Sequence, residues 1–77
     1  MTSAALRRER LRELIVGLDE PLDALVVSDL VNVRYLTGFT GSNAALLIAT
    51  DAADDRISTD GRYLTQVAAQ SGDVELI

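Results

Sequence analysis

The sequence predicts an α/β fold, a mixed β-sheet flanked by helices, and three observations carry that expectation. Leu11, Leu14, Ile15 and Leu18 recur at i, i+3, i+4 and i+7, the period of an amphipathic helix. The run Leu22–Ser28 closes on Leu-Val-Val, a short apolar stretch rich in β-branched residues that suits a strand. Further on, apolar runs and turn signals alternate in the order α-β-α-β-β-α-β, which belongs to a layered sandwich and not to a repeat array or bundle.

The first helix runs from Ser3, a good N-cap residue, and is stopped by Gly17 and Pro21. Arg8, Glu9, Arg12 and Glu13 fall off its apolar stripe and are expected on a solvated face, with Glu9–Arg12 and Arg10–Glu13 pairs. The strand at Leu22–Ser28 is expected to be covered on both faces, which implies a parallel or mixed sheet. Ser28 or Asp29 then caps a short helix, Leu30–Leu36, closed by Gly38. A second strand occupies Ala44–Thr50, an acidic solvated turn Asp51–Asp55, and a third strand Arg56–Thr59. Asp60 caps a helix through Gln70 that turns Leu64, Val67 and Ala68 inward. Val74–Ile77 begins another strand, and an apolar strand with nothing after it to cover or pair it leads us to expect an incomplete domain.

Composition narrows the function. At 77 residues with 48% hydrophobic and 25% charged positions, one compact unit is the ceiling, and charges are too regularly spaced for a membrane span. Phe39, Tyr35 and Tyr63 are the only aromatics, so Leu, Val, Ile and Ala must build the core. A net charge of −5 argues against binding nucleic acid, which rewards a positive surface. Neither cysteine nor a secretory segment is present, which is compatible with a reducing cytoplasm.

No catalytic constellation can be assembled. Histidine and cysteine are both missing, removing the commonest general base, metal ligand and nucleophile together, so neither catalytic nor metal-binding residues are assigned. Asp51, Asp54 and Asp55 lack the ligand alternation and central glycine of a calcium loop. Ser42 sits between a helix and a strand with no base to activate it. Gly38-Phe39-Thr40-Gly41-Ser42 lacks the lysine of a phosphate loop and opens no helix. The glycines are read as turn-makers: Gly38 ends a helix and Gly41 turns into a strand, while Asp60 caps and Gly61 follows it.

Two segments, Val33–Asn43 and Thr59–Tyr63, carry more than composition. Asn32-Val33-Arg34-Tyr35-Leu36-Thr37-Gly38-Phe39-Thr40-Gly41-Ser42, followed after one hairpin by Thr59-Asp60-Gly61-Arg62-Tyr63, resembles the N-terminal domain of the Xaa-Pro peptidases related to creatinase and prolidase. Ser58 departs from the pattern, since relatives more often place an apolar residue there. The resemblance implies a ribonuclease-H-like sheet domain, residues 1–77 being part of it, that precedes a catalytic domain of pita-bread fold absent from this chain. In the parent, two divalent metals, manganese or cobalt, would activate water for attack on the bond before proline in short peptides. The resemblance further implies a homo-oligomer, typically a dimer, in which this domain narrows the entrance to a partner's active site. Arg34, Tyr35, Phe39, Thr40, Ser42, Asn43, Arg62 and Tyr63 are the candidates for that access or interface role. Two other readings stay open: a stand-alone module that caps full-length relatives, and an unrelated domain holding an anion at Gly38–Asn43.

Overall fold

A computed structural model describes residues 3–20 and 22–77. The elements are α1 (Ser3–Val16), β1 (Ala24–Val27), α2 (Leu30–Thr37), β2 (Ala45–Ala49), β3 (Arg56–Ser58), α3 (Leu64–Gln70) and β4 (Glu75–Leu76). Their order is the expected one. Short 3-10 turns, Ala52–Asp54 and Gly61–Tyr63, precede β3 and α3. Gly17 follows the last residue of α1, its N–H bonded to the Glu13 carbonyl at 3.0 Å. The expected stop at Pro21 lies outside the described residues. Ser3 is itself helical and so does not cap α1 from outside.

The sheet is mixed, with strands in the order β1-β2-β3-β4. β2 runs antiparallel to both β1 and β3, and β3 runs parallel to β4. This register stacks Leu25 opposite Ile48, Val27 opposite Leu46, and Ile57 opposite both Leu46 and Leu76. Because side chains alternate along a strand, these residues share one face. Ile15 of α1, Val33 and Leu36 of α2, and Val67 of α3 join Leu46, Ile48 and Ile57 in a single buried cluster, so all three helices lie on that face. β1 therefore departs from expectation. It is an edge strand, and Val26, on the opposite face, is 66% exposed.

The first helix is rotated from its expected setting. The stripe it buries is Arg8, Leu11, Arg12 and Ile15, also spaced i, i+3, i+4 and i+7, while Leu14 is 67% exposed and Leu18 lies outside too. Leu11 and Ile15 belong to both stripes, and what lies beneath decides between them. Arg12 meets the buried carboxylate of Asp55 with paired bonds of 2.8 and 2.7 Å, donates to the Ala49 carbonyl, and keeps the expected pair with Glu9. Arg8 donates to the Leu36 carbonyl at 2.7 Å and pairs with Asp73. Both guanidiniums end in satisfied positions, and their aliphatic stems supply the apolar contact. Asp55 is accordingly a buried anchor and not a solvated turn residue; its Oδ1 also accepts the Ala49 N–H at 2.9 Å.

The third helix differs as well. Leu64 is half exposed and Ala68 exposed, whereas Tyr63, Val67 and Ser71 face inward at intervals of four. The tighter winding of the 3-10 turn ahead of α3 sets this phase.

Candidate functional site

The two glycine-punctuated segments meet at one end of the sheet. Asp29 starts α2, its Oδ1 accepting the Val31 N–H at 3.0 Å. Gly38 ends it at φ 80°, a left-handed conformation, with its N–H bonded to the Arg34 carbonyl at 2.7 Å. Thr37 braces the turn, its hydroxyl donating to the Val33 carbonyl at 2.7 Å and accepting the Phe39 N–H at 3.1 Å.

Phe39 then turns inward. Its ring is buried and meets Tyr63 edge-to-face, centroids 5.8 Å apart at 81°. As placed, Phe39 is a core residue, in contrast to the partner-facing role expected of it, because the hairpin brings Tyr63 against it. Gly41 passes so close to this ring that a Cβ there would lie 2.2 Å from Phe39 Cζ. Close approach, and not a special dihedral, is thus what Gly41 supplies; Gly38 is the only glycine at positive φ among the described residues. Gly61 has neither requirement: its φ is not positive, and a Cβ there would meet nothing within 4 Å.

Beyond Gly41 the loop is latched to the second segment. Ser42 Oγ shares a hydrogen bond with the Tyr63 hydroxyl, Thr59 donates its hydroxyl proton to the Asn43 carbonyl, and Asn43 Nδ2 donates to Asp60 Oδ2 at 3.1 Å. Thr40 ties the loop to α3: its N–H donates to Gln70 Oε1 at 2.9 Å, and its hydroxyl accepts from Gln66 and Gln70 at 2.9 and 3.0 Å. Asp60 caps the 3-10 turn by accepting the Arg62 N–H at 3.0 Å and pairs with the Arg62 guanidinium at 2.8 Å. The Arg62 bonds, with the Asn43 amide second, hold the Asp60 carboxyl well below the usual carboxylate range. Asp60 in turn raises Arg62, which lies over the Tyr63 ring at 5.1 Å.

Thr40, Ser42, Asn43 and Arg62 therefore share one exposed surface, with Tyr63 half-buried beneath. Arg34 reaches its rim across a cavity of about 290 Å³ lined also by Leu30, Val31 and Phe39. Tyr35 does not join them; it faces α1, where the Arg7 guanidinium stacks on its ring at 4.4 Å. Gln66 and Gln70, which hold Thr40, were not legible beforehand, since two glutamines on a short helix carry no sequence signal. The surface offers hydrogen-bond donors, acceptors and cations. Among the described residues, no group of three or more His, Cys, Asp or Glu is placed to hold a metal ion, and no helix is long and apolar enough to cross a membrane.

A mixed four-stranded sheet with helices packed on it defines an α/β domain. Comparison with known proteins supplies the family: residues 7–77 match the creatinase/prolidase N-terminal domain, and the chain belongs to that family. It is 38% identical over 72 residues to the uncharacterized peptidase YqhT of Bacillus subtilis, covering 94% of this chain and 19% of that protein. The crystal structure of the N-terminal domain of the cytoplasmic peptidase PepQ from Mycobacterium tuberculosis superposes with a TM-score of 0.84 at 51% identity, covering 92% of this chain and 53% of that one. The X-prolyl aminopeptidase of Caenorhabditis elegans, a cytosolic enzyme with a di-nuclear active site, gives 0.82 at 26% identity, covering the whole of this chain and 16% of that one. The chain thus spans about a fifth of its curated relative and about half of the solved N-terminal domain. The described residues do not fit a two-metal centre of the kind found in the nematode enzyme.

Proposed function

We propose that this chain is a non-catalytic N-terminal portion of a Xaa-Pro metallopeptidase, serving oligomerisation and restriction of substrate access. The parent hydrolyses the bond before proline in short peptides in the cytoplasm, using two divalent metals, manganese or cobalt, held by residues outside this chain. The observation that carries this reading is the latched loop 39–43. The loop is tied to α3 through the Thr40 N–H and hydroxyl and to the Thr59–Tyr63 segment through the Ser42 hydroxyl, the Asn43 amide and the Asn43 carbonyl, and Thr40, Ser42 and Asn43 remain exposed. A loop held this firmly loses little entropy on meeting a partner, which suits it to narrowing an entrance.

The test places Ser42→Trp in the intact peptidase that carries this segment. Turnover of a pentapeptide is expected to fall at least about tenfold relative to a dipeptide, because added bulk at the entrance penalises the longer substrate first. Equal rates for both, with an unchanged oligomer on gel filtration, would remove the access role. Chelator-sensitive cleavage of Ala-Pro by the isolated chain in manganese would overturn the non-catalytic assignment itself.

A further inference from the structure

The loop 39–43 is fixed near its apex by side chains of another element. Thr40 lies between Phe39, whose ring is buried, and Gly41, whose backbone passes against that ring. Its N–H meets no backbone carbonyl among the described residues; the acceptor is Gln70 Oε1 at 2.9 Å. Gln70 Nε2 then donates to the Thr40 hydroxyl at 3.0 Å, so one carboxamide grips both the main chain and the side chain of Thr40. Gln66, one turn back on α3, donates to the same hydroxyl at 2.9 Å and to Gln70 Oε1 at 3.1 Å. A backbone N–H can only donate, so Thr40 dictates which end of the Gln70 amide faces it, and Gln66 holds that end in place.

This clamp contributes little to folding. Thr40 and Gln70 are exposed and Gln66 is half-buried, and water can replace neutral hydrogen bonds in such positions at small net cost. What it supplies is position. The far side of the loop has its own ties, through Ser42 and Asn43, but without Gln70 the Thr40 N–H loses its acceptor. Gln70 is also the last residue of α3, and the Gly38 turn passes so close that a Cβ there would lie 3.4 Å from the Gln70 carbonyl oxygen. The clamp therefore spans a short distance from a helix end packed against the start of the loop. We infer that Gln70, held by Gln66, is a positioning residue that sets how far Thr40 projects into the entrance and thereby the length of peptide admitted. This rests on the access role proposed for the loop. A rim held rigid excludes a long substrate that a mobile rim would let pass.

The test uses the intact peptidase that carries this segment. Gln70→Leu removes both polar atoms at similar volume, and Gln70→Glu keeps an acceptor for the Thr40 N–H. In Gln70→Leu, hydrogen exchange of the segment 39–43 should quicken at least about tenfold, while β2 and β3 exchange as before. The kcat/KM ratio of a pentapeptide over a dipeptide should rise at least about threefold, through a lower pentapeptide KM and not a higher kcat. Gln70→Glu should reverse most of both changes, which a general loosening of α3 would not allow. Unchanged exchange in Gln70→Leu, or faster exchange with an unchanged ratio, overturns the inference. Should Gln70→Leu loosen β2 and β3 as well, Gln66→Leu takes its place, with a smaller rise in the ratio expected and no rise counting against the clamp. Ser42→Trp separates this inference from the reading beneath it. A changed ratio in Ser42→Trp with none in Gln70→Leu removes the clamp and leaves the access role standing, whereas no change in either removes both.

Discussion

Replacing Arg12 by Met tests the least anticipated feature of the fold. The guanidinium makes paired bonds to Asp55, further bonds of 3.1 and 3.0 Å to Glu9 Oε1, and one to the Ala49 carbonyl. The Arg12 side chain is 8% exposed and the Asp55 side chain 5%. Methionine fills much of the same volume but leaves the Asp55 carboxylate buried with the Ala49 N–H as its remaining donor. Removing one partner of such a pair costs about 3–5 kcal/mol, mostly the penalty of an uncompensated buried charge. A chain of this length has about 4–12 kcal/mol in total, so the variant approaches or crosses its unfolding threshold at room temperature. Arg12→Met/Asp55→Ala removes both charges and should lose less than the sum of the two single variants by about 1–3 kcal/mol. Glu75→Ala, which breaks the Arg56–Glu75 pair from its exposed side and leaves the Arg56 bonds to the Ala53 and Asp55 carbonyls in place, should cost at most about 1 kcal/mol. Urea denaturation followed by far-UV circular dichroism measures all four. A loss below about 1 kcal/mol for Arg12→Met, or strict additivity in the double variant, would show that the buried pair does not anchor α1.

Other outcomes follow from the glycines, the cap and the carboxylates. Gly41→Ala must push the Phe39 ring aside and should cost about 1–3 kcal/mol, whereas Gly61→Ala, with open space around it, should be neutral or stabilising by up to about 1 kcal/mol; thermal melts compare them. Asp29→Ala removes the side-chain acceptor at the start of α2 and should cost about 1 kcal/mol in the same assay. The Asp60 carboxyl, depressed chiefly by Arg62, should remain ionised when exposed carboxyls have titrated, as seen by carboxyl-carbon NMR. Because the folded group binds its proton more weakly than the unfolded one, its contribution to stability is full above the ordinary aspartate range and is lost as pH falls below it. Arg62→Ala should return the Asp60 titration toward the ordinary value; an unchanged curve would refute the assignment of cause.

Much of the architecture was written locally. Asp29 before Leu30 and Gly38 after Thr37 mark α2 to within a residue, because a carboxylate acceptor and a left-handed glycine act on their nearest neighbours. The two motif segments, too, were visible as residues, and their family with them. The roles within them were less so. Gly41 looked like a turn-maker, but its requirement comes from the Phe39 ring, and Phe39, a candidate for an access or interface role, lies buried against Tyr63.

What the sequence by itself determined is the succession of elements, the capped α2 and the absence of histidine and cysteine chemistry, since each depends on a residue or on neighbours a turn away. Tertiary structure alone decided which stripe of α1 is inside, which face of β1 is covered, and which loop atoms are latched. The stripes Leu11, Leu14, Ile15, Leu18 and Arg8, Leu11, Arg12, Ile15 have the same period, so periodicity cannot rank them. The choice fell to Asp55, more than forty residues away, whose buried carboxylate receives Arg12, and to the buried Leu36 carbonyl and the more exposed Asp73, which receive Arg8.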